Sequence, residues 1–449
     1  MTPRSAPSAY ASKRRSASDA AALVHATDTL AIGLGPCQPH DLLTALGERD
    51  DWRDLRIFGA LLTGLYRVFT RPGVVLLSGF YGPVERGLRA AGHPVRFLPA
   101  DFRRFGQFAR RFAPRVLSTL VAPPDADGRC SLALHAGATV AELHRAASDP
   151  DRLVIAEVNP KLPRTCGLPP EHGHFLSLDE IDVIVESEAD PFFLPDPPIT
   201  DVERKIAAHV MRFVPDGATI QTGIGGIPSE IVTVLSEGPG GDYGIHSEMF
   251  TTGLMHLQRA GKVSNRKGIY DGFSAVTFAA GTRELYDWLD GNESVRFLPV
   301  ERINDPSIIA RNRMMVSING ALSVDLAGQI AADTVNGRQY SGIGGHEDFV
   351  AGAAFSEGGR SLVCLPSTAT VRGPEGERVV SRIVAAFPAG AIVTTPRHQV
   401  DVVVTEFGAA ELAGCSTEER AESLAAVVHP DFRDALQDEA RELAARRTS

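Results

Sequence analysis

The sequence has few cysteines, and none of them are paired at metal-binding or redox spacing. The five in 449 residues are scattered and odd in number: Cys37, Cys130, Cys166, Cys364 and Cys415. A disulfide framework or a Cys-x-x-Cys zinc site needs regular pairs, so neither is predicted. This cysteine usage is typical of a reducing compartment, and we expect a cytoplasmic protein.

Long apolar runs and long basic runs are also missing. No apolar stretch reaches the length that spans a bilayer, and no continuous apolar segment precedes a cleavage site near the N-terminus. The formal net charge is -10, and the basic cluster Lys13–Arg15 is too short to neutralise a series of phosphates. We therefore expect neither a membrane nor a nucleic acid as a partner.

Several common catalytic motifs are absent as well. The chain has no Gly-x-Ser-x-Gly elbow and no Walker loop. Its glycine-rich turn Gly223–Gly226 follows a predicted strand, but Pro228 stands where the dinucleotide pattern requires a third glycine, so a nicotinamide cofactor is not predicted. His172 and His174 lack further ligands at suitable spacing, so we expect a surface loop there and no metal site.

The chain does contain an alternation of short branched runs and helix-like stretches. Gly73–Leu77, Leu153–Ala156 and Ile181–Val185 have the composition of strands buried on both faces. Helical patterns such as Asp41–Arg49 and Thr139–Ala147 lie between such runs. The alternation predicts an α/β fold with largely parallel sheets.

The second half of the chain repeats marks of the first. Ala218–Gly225 echoes Thr29–Gly35, and Val400–Glu406 echoes Ile181–Glu188. Chance similarity between strand-turn-helix segments is the alternative explanation. We interpret the echo as two copies of one α/β unit.

The junction between the two copies is predicted at Pro191–Pro198. Four prolines in these eight residues exclude a helix and favour an extended connector. A length of 449 residues also exceeds the size at which one core keeps growing. We therefore expect two similar open α/β domains, 1–195 and 196–449.

Glu248 is the candidate nucleophile. It lies among small and apolar residues in Gly244–Met249, shortly after the glycine-rich turn. A carboxylate is a poor nucleophile in water, but in a dry pocket that faces an activated acyl group it can form a covalent intermediate. The plain alternative is a solvated or hydrogen-bonded residue at the end of an element.

Two asparagines and a second glycine cluster are further candidates. Asn304 and Asn319 either cap local backbone, as is common before Asp-Pro or Gly, or point an amide at a ligand oxygen. The cluster Tyr340–Phe349 is either a tight turn or a second ligand loop. We interpret its His346-Glu347-Asp348 run as no joint metal or acid-base site, because adjacent side chains rarely point at one centre.

From about Tyr10 to Phe432 the chain resembles the acetyl-CoA hydrolase/transferase family, most closely the 4-hydroxybutyrate CoA-transferase type. Ser247 stands where threonine is common, and Cys37-Gln38 where Gly-Gln is frequent, which leaves the acyl selectivity open. The matching segments are Gly223–Pro228, Gly244–Met249, Asn304–Pro306, Val316–Asn319, Tyr340–Gly345, Leu365–Thr368, Val404–Gly408 and His429–Phe432.

The resemblance implies a two-domain CoA-transferase fold in which Glu248 carries coenzyme A as a glutamyl thioester. It also implies that Asn304 and a glycine N–H at Gly342 stabilise the oxyanion. The residues implied in CoA contact are Gly223, Ile224, Gly225, Gly226, Ile227, Asn319, Gly342 and Gly345.

The reaction so implied is a ping-pong transfer of CoA between a short-chain acyl-CoA and a carboxylate such as acetate. No metal and no permanently bound cofactor is expected, and coenzyme A is a cosubstrate. The family suggests a homodimer. Two alternatives stay open: acyl-CoA hydrolysis on the same scaffold, and a non-catalytic CoA-binding protein.

Overall fold

The computed structural model describes residues 8–135, 137, 139–373 and 376–448, and the chain divides into two compact units. The first unit is the chain up to Pro195 together with Ala275–Ile303. The second is Asp196–Ser274 together with the chain from Asn304 onward. The second unit therefore differs from the continuous stretch 196–449, because residues 275–303 group with the first unit. The domain limits 1–195 and 196–449 stay a prediction.

The first unit is built on a seven-stranded sheet in which all neighbouring strands are parallel. In spatial order the strands are Val95–Phe97, Val74–Ser78, Leu55–Gly59, Thr29–Ile32, Val116–Val121, Leu153–Val158 and Val183–Glu186. The α-helices before Pro195 are Ser8–Lys13, Ala17–Ala22, His40–Glu48, Pro83–Ala90, Phe105–Phe112 and Val140–Ala147. Branched side chains predominate in these strands because helices cover a parallel sheet on both faces.

Shorter elements complete the first unit. A small antiparallel pair joins Arg129–Ser131 to Phe175–Ser177. The four 3-10 helices are Gly35–Cys37, Arg67–Thr70, Phe102–Arg104 and Leu178–Glu180. The later segment contributes strands Ser274–Ala279 and Val295–Phe297 and helices Arg283–Leu289 and Val300–Ile303. Backbone hydrogen bonds fix this segment to the first unit, from Ala279 N to Leu134 O and from Phe297 N to Cys166 O, each 2.8 Å long.

The second unit contains a run of six strands, of which the last is antiparallel to its neighbour. In spatial order they are Gly244–Phe250, Thr219–Thr222, Met315–Gly320, Arg360–Cys364, Val402–Thr405 and Gly408–Glu411. The helices are Asp201–Val210, Gly226–Glu237, Thr252–Arg259, Pro306–Ile309, His346–Phe355, Thr417–Ala426 and Pro430–Thr448, with a 3-10 turn at Met211–Phe213. None of the described helices is long and apolar enough to cross a membrane.

Three small sheets extend the second unit. One joins Ile330–Ala331, Ser323–Asp325 and Ile383–Val384. Two hairpins pair Thr334–Val335 with Arg338–Gln339 and Thr368–Gly373 with Gly376–Ser381. Apolar side chains from these small sheets, from the run of six strands and from helix Thr417–Ala426 form a core that includes Val324, Val363, Ile383, Val403 and Leu424.

In both units the strand before the first glycine-rich turn, the central strand, has a parallel neighbour on each side. Thr29–Ile32 lies between Leu55–Gly59 and Val116–Val121, and Thr219–Thr222 lies between Gly244–Phe250 and Met315–Gly320. The predicted fold class is confirmed: two similar α/β units with largely parallel sheets. In such sheets ligands bind beyond the carboxyl ends of the strands, where the strand order reverses.

Candidate active site

Glu248 lies near the carboxyl end of a buried strand, at the edge where the central strand of the second unit also ends. The strand Gly244–Phe250 runs parallel to Thr219–Thr222, with Ile245 opposite Ile220. The Ser247 hydroxyl donates to the Thr222 carbonyl at 3.2 Å. Parallel strands end on the same side of a sheet, so Glu248 lies beside the loop that follows Thr222.

Asn304 is the hydrogen-bond partner of Glu248. Its Nδ2 donates to Glu248 Oε2 at 2.7 Å, and the asparagine is fully buried. The residue connects helix Val300–Ile303 to helix Pro306–Ile309, whose N-cap is Asp305. Since Asp305 accepts the backbone N–H of the new helix, the Asn304 side chain is not needed as a cap and reaches Glu248.

Asp348 is a third member of this cluster. The second N–H of the Asn304 amide donates to Asp348 Oδ2 at 3.1 Å, and Asp348 is fully buried in the first turn of helix His346–Phe355. Its neighbours point elsewhere: His346 Nε2 and Glu347 both contact the Thr395 hydroxyl. The three adjacent residues form no joint site, but the sequence analysis missed the contact that Asp348 makes alone.

Gly345 closes the cluster from one side. It is the N-cap of helix His346–Phe355, and a side chain there would overlap both Glu248 Oε2 and Asn304 Nδ2. Glycine lets the backbone approach these two groups closely. Gly342, three residues earlier in the same loop, is buried.

The environment of Glu248 raises the pKa of its carboxyl group from the ordinary value of 4.5 to about 8. Burial is the main cause and the Asp348 charge adds to it, while the Asn304 hydrogen bond acts in the opposite direction. The residue is nevertheless partly exposed, unlike Asn304 and Asp348. A carboxyl group poised near neutral pH in such a setting is typical of a reactive site.

The glycine-rich turn Gly223–Ile227 follows the central strand and includes the first two residues of helix Gly226–Glu237. Gly225 has φ +118°, a backbone conformation that residues other than glycine rarely adopt. Gly223 has open space around it, and Ile224 exposes 58% of its surface. The turn therefore presents open backbone and an exposed apolar side chain at the carboxyl edge of the sheet.

Asn319 lies on the neighbouring strand at the same edge. Its Nδ2 donates to Gln221 Oε1 at 3.3 Å, and Gln221 Nε2 donates back to Asn319 Oδ1 at 3.5 Å. The parallel register places Thr222 opposite Ile318, so both amides sit where their strands end. Gln221 was not singled out from the sequence, although it directly precedes Thr222-Gly223.

The structure thus brings Glu248, Asn304 and Gly345 into contact and places Asn319 and the turn Gly223–Ile227 at the same sheet edge. Among the described residues, no group of three or more His, Cys, Asp or Glu side chains could hold a metal ion. The chemistry on offer is that of an accessible carboxyl group beside an amide donor.

Comparison with solved structures defines the class of fold. The crystal structure of RipA from Yersinia pestis superimposes with a TM-score of 0.87 at 33% identity, covering 97% of this chain and 98% of that one. A 4-hydroxybutyrate CoA-transferase from Porphyromonas gingivalis gives a TM-score of 0.76 at 30% identity, covering 96% and 98%. The fold is that of the CoA-transferases.

Comparison of sequences defines the family. The 4-hydroxybutyrate coenzyme A transferase of Clostridium kluyveri is 36% identical over 414 residues, which are 90% of this chain and 91% of that protein. The profile of the acetyl-CoA hydrolase/transferase C-terminal domain matches residues 281–440. The chain belongs to the acetyl-CoA hydrolase/transferase family, and the resemblance stated from the sequence is confirmed. A more distant relative is the acetyl-CoA hydrolase of Saccharomyces cerevisiae, 26% identical over 58% of this chain and 49% of that protein.

Proposed function

We propose that this protein transfers coenzyme A between a short-chain acyl-CoA and a carboxylate acceptor such as acetate, with Glu248 as the nucleophile. The observation that carries the proposal is the accessible Glu248 carboxyl group held 2.7 Å from the Asn304 amide. Family membership supports the same activity, since its relatives include a 4-hydroxybutyrate coenzyme A transferase.

The transfer proceeds in two symmetrical halves. A Glu248 carboxylate oxygen attacks the thioester carbonyl, the C–S bond breaks, and an acyl-glutamyl anhydride and the CoA thiolate form. The thiolate then attacks the Glu248 carbonyl carbon, which forms the glutamyl thioester and releases the first carboxylate. The acceptor carboxylate runs both steps in reverse. Each half conserves charge and the energy of the thioester, so neither ATP nor a net proton is consumed.

Asn304 has the oxyanion role in this proposal. Each attack places negative charge on a carbonyl oxygen, and a fixed N–H donor stabilises that charge more than it stabilises the neutral substrate. The Asn304 amide already touches the nucleophile, so a small displacement brings it to the developing oxyanion. Gly342 is the second proposed donor, through its backbone N–H.

The surroundings of Glu248 are proposed to hold coenzyme A. The turn Gly223–Ile227 offers backbone groups and the exposed Ile224 side chain to the pantetheine arm, and Asn319, Gly342 and Gly345 line the same edge.

We further propose that the protein is cytoplasmic and forms a homodimer. Sedimentation of the purified protein would test the oligomeric state.

Hydrolysis is the second candidate function, and the yeast acetyl-CoA hydrolase relative favours it. Water in place of the acceptor would release the acid and CoA from the same intermediates. Whether water enters depends on how well the bound substrate closes the site.

An acceptor-dependence assay tests the proposed function. Acyl-CoA donors are incubated with acetate, propionate, butyrate, succinate, 4-hydroxybutyrate or water, and new acyl-CoA is measured. Transfer predicts a new acyl-CoA and exchange of labelled acetate into acetyl-CoA. Loss of acyl-CoA at a rate independent of acceptor would establish hydrolysis instead, and tight CoA binding without either reaction would indicate a non-catalytic binding protein.

A further inference from the structure

Asp348 is a fully buried carboxylate that the reaction described above does not use. It lies in the first turn of helix His346–Phe355, and its Oδ2 accepts the second N–H of Asn304 at 3.1 Å. Burying a charged group is costly unless hydrogen bonds compensate for the lost hydration. The position of Asp348 directly behind the Asn304 amide therefore needs an explanation.

The amide of Asn304 is held in one orientation. An asparagine side chain has two N–H donors and one oxygen acceptor, and here both donors face carboxylate oxygens. The oxygen Oδ1 is buried and has no hydrogen-bond partner. If the amide were turned over, Oδ1 would instead face Glu248 and Asp348. The observed orientation therefore keeps both N–H donors paired and leaves the oxygen Oδ1 unpaired.

Glu248 fixes this orientation by itself only when it is ionised and can only accept. When its carboxyl group is protonated it both donates and accepts, so it can pair with either end of the Asn304 amide. An ionised Asp348 only accepts, and it repels an amide oxygen. While Glu248 is protonated, the group that decides which end of the amide faces it is therefore the carboxylate on the far side, Asp348.

We propose that Asp348 is a positioning residue that locks the Asn304 amide with its nitrogen toward Glu248, ready to donate to the developing oxyanion. The inference rests on the proposed function, since it assigns Asp348 a part in that reaction through Asn304. The alternative is a buried acid whose only role is to stabilise the helix. Both roles involve the same residue, so the test requires a readout that a structural role would not change.

The main variant is Asp348→Asn, which keeps the size of the side chain and can present either a donor or an acceptor to Asn304. We expect a roughly 10- to 100-fold slower formation of the Glu248 adduct in a single turnover, with the KM for acyl-CoA changed less than about twofold. The matched control is Glu347→Gln, which removes the same charge from the same helix turn but faces Thr395. We expect the control to react at nearly the wild-type rate.

The deciding measurement is a double-mutant cycle with Asn304→Ala. If Asp348 acts through Asn304, Asp348→Asn slows the Asn304→Ala enzyme by less than about twofold. An equal slowing in both backgrounds would overturn the positioning role. Asp348→Ser is measured in parallel, so that a poorly folding Asp348→Asn protein still leaves a readable cycle.

The pH profile provides an independent readout. The charged group on a neighbouring element that acts on Glu248 is Asp348, and its removal lowers the pKa of Glu248. The acidic limb of the rate profile should therefore move to lower pH in Asp348→Asn, which reports the charge of Asp348 at Glu248, while the double-mutant cycle reports its action through Asn304. If the wild-type enzyme forms an adduct at Glu248 but Asp348→Asn matches its rate and profile, only the Asp348 inference fails. If the wild-type enzyme forms none, the proposed function fails and this inference falls with it.

Discussion

Each unit of the molecule has a glutamate near the end of a parallel strand, Glu157 in the first and Glu248 in the second, and the two are held in different ways. Glu157 of the first unit accepts three backbone contacts at the start of helix His40–Glu48, from Asp41 N at 3.0 and 3.1 Å and from Leu42 N at 3.1 Å. Glu248 of the second unit accepts from the Asn304 side chain and faces the charge of Asp348.

Burial raises the pKa of both groups, to about 7 for Glu157 and to about 8 for Glu248. A shifted pKa alone therefore does not identify the reactive group. Glu157 is fully buried and tied to backbone amides and the helix N-terminus, which is how a structural carboxylate is held. Glu248 is partly exposed, and its donor is the single side-chain amide of Asn304 instead of a set of backbone N–H groups, which suits a reactive carboxylate.

The sheet registers show that the two carboxylates do not occupy corresponding positions. Ile57 lies opposite the central strand of the first unit at the position that Ile245 occupies in the second unit. Three residues further along in each unit, Ala60 therefore corresponds to Glu248. Counting across the next two strands in the same way, Cys364 corresponds to Glu157. The copies share a fold, but each has placed its buried acid on a different strand.

The largest expected effect is that of Glu248→Gln. The amide cannot form the covalent intermediate, so transfer should fall by roughly 10⁴-fold or more. The thermal midpoint should stay unchanged or rise, because a carboxyl group that is costly to ionise beside Asp348 is replaced by an amide that carries no charge. A rate assay beside a thermal melt checks both, and a variant that retained a tenth of the activity would contradict the role of Glu248.

Asn304→Ala comes next. Loss of one oxyanion donor costs about 3 kcal/mol of transition-state stabilisation, or roughly 10²-fold in kcat. The affinity for CoA should change much less, because the donor acts mainly on charge that develops during the reaction. Steady-state kinetics and CoA titration separate the two, and equal losses in both would remove Asn304 from the oxyanion role.

Glu157→Gln tests the structural member of the pair. One of the backbone N–H groups of Asp41 and Leu42 would then face an amide nitrogen, so unfolding should become easier by about 1–3 kcal/mol. Activity per folded molecule should stay near wild type. Denaturant unfolding and the rate assay together check this, and a selective loss of kcat with unchanged stability would break the comparison.

The dependence on pH tests the shifted pKa of Glu248. Glu248 must be ionised to attack, so kcat/KM should rise with pH around a midpoint near 8. The pH dependence of stability has the opposite sign, because folding favours the protonated form of Glu248. The stability that this group contributes is fully present below pH 4.5 and is lost as the pH rises to about 8. A flat rate profile between pH 6 and 9 would contradict the assigned pKa.

The sequence was sufficient for the fold class because the signals involved are local. Branched runs such as Leu153–Ala156 became strands, and Thr139–Ala147 contains the helix that its pattern predicts. Glu248 and Asn304 were each named as candidates from their local sequence, but their joint role came only from the family resemblance, since 56 residues separate them. No periodicity in the chain encodes a contact over that distance.

The residues that the sequence analysis missed depend on the same kind of distant contact. Asp348 is 44 residues from Asn304, and the run His346-Glu347-Asp348 was set aside because adjacent side chains rarely point at one centre. Gln221 can be recognised only from its hydrogen bond to Asn319, which lies on the adjacent strand. The grouping of residues 275–303 with the first unit likewise depends on hydrogen bonds such as Ala279 N to Leu134 O, which no local pattern predicts.

Covalent trapping tests the account most directly. The wild-type protein is incubated with an acyl-CoA and no acceptor, treated with borohydride or hydroxylamine, digested, and examined by mass spectrometry, with Glu248→Gln as the control. We predict that the peptide containing Glu248 is modified at that residue in the wild type and unmodified in the control. Active wild-type enzyme with an unmodified Glu248, or with the modification at another carboxylate such as Glu157, would contradict the account.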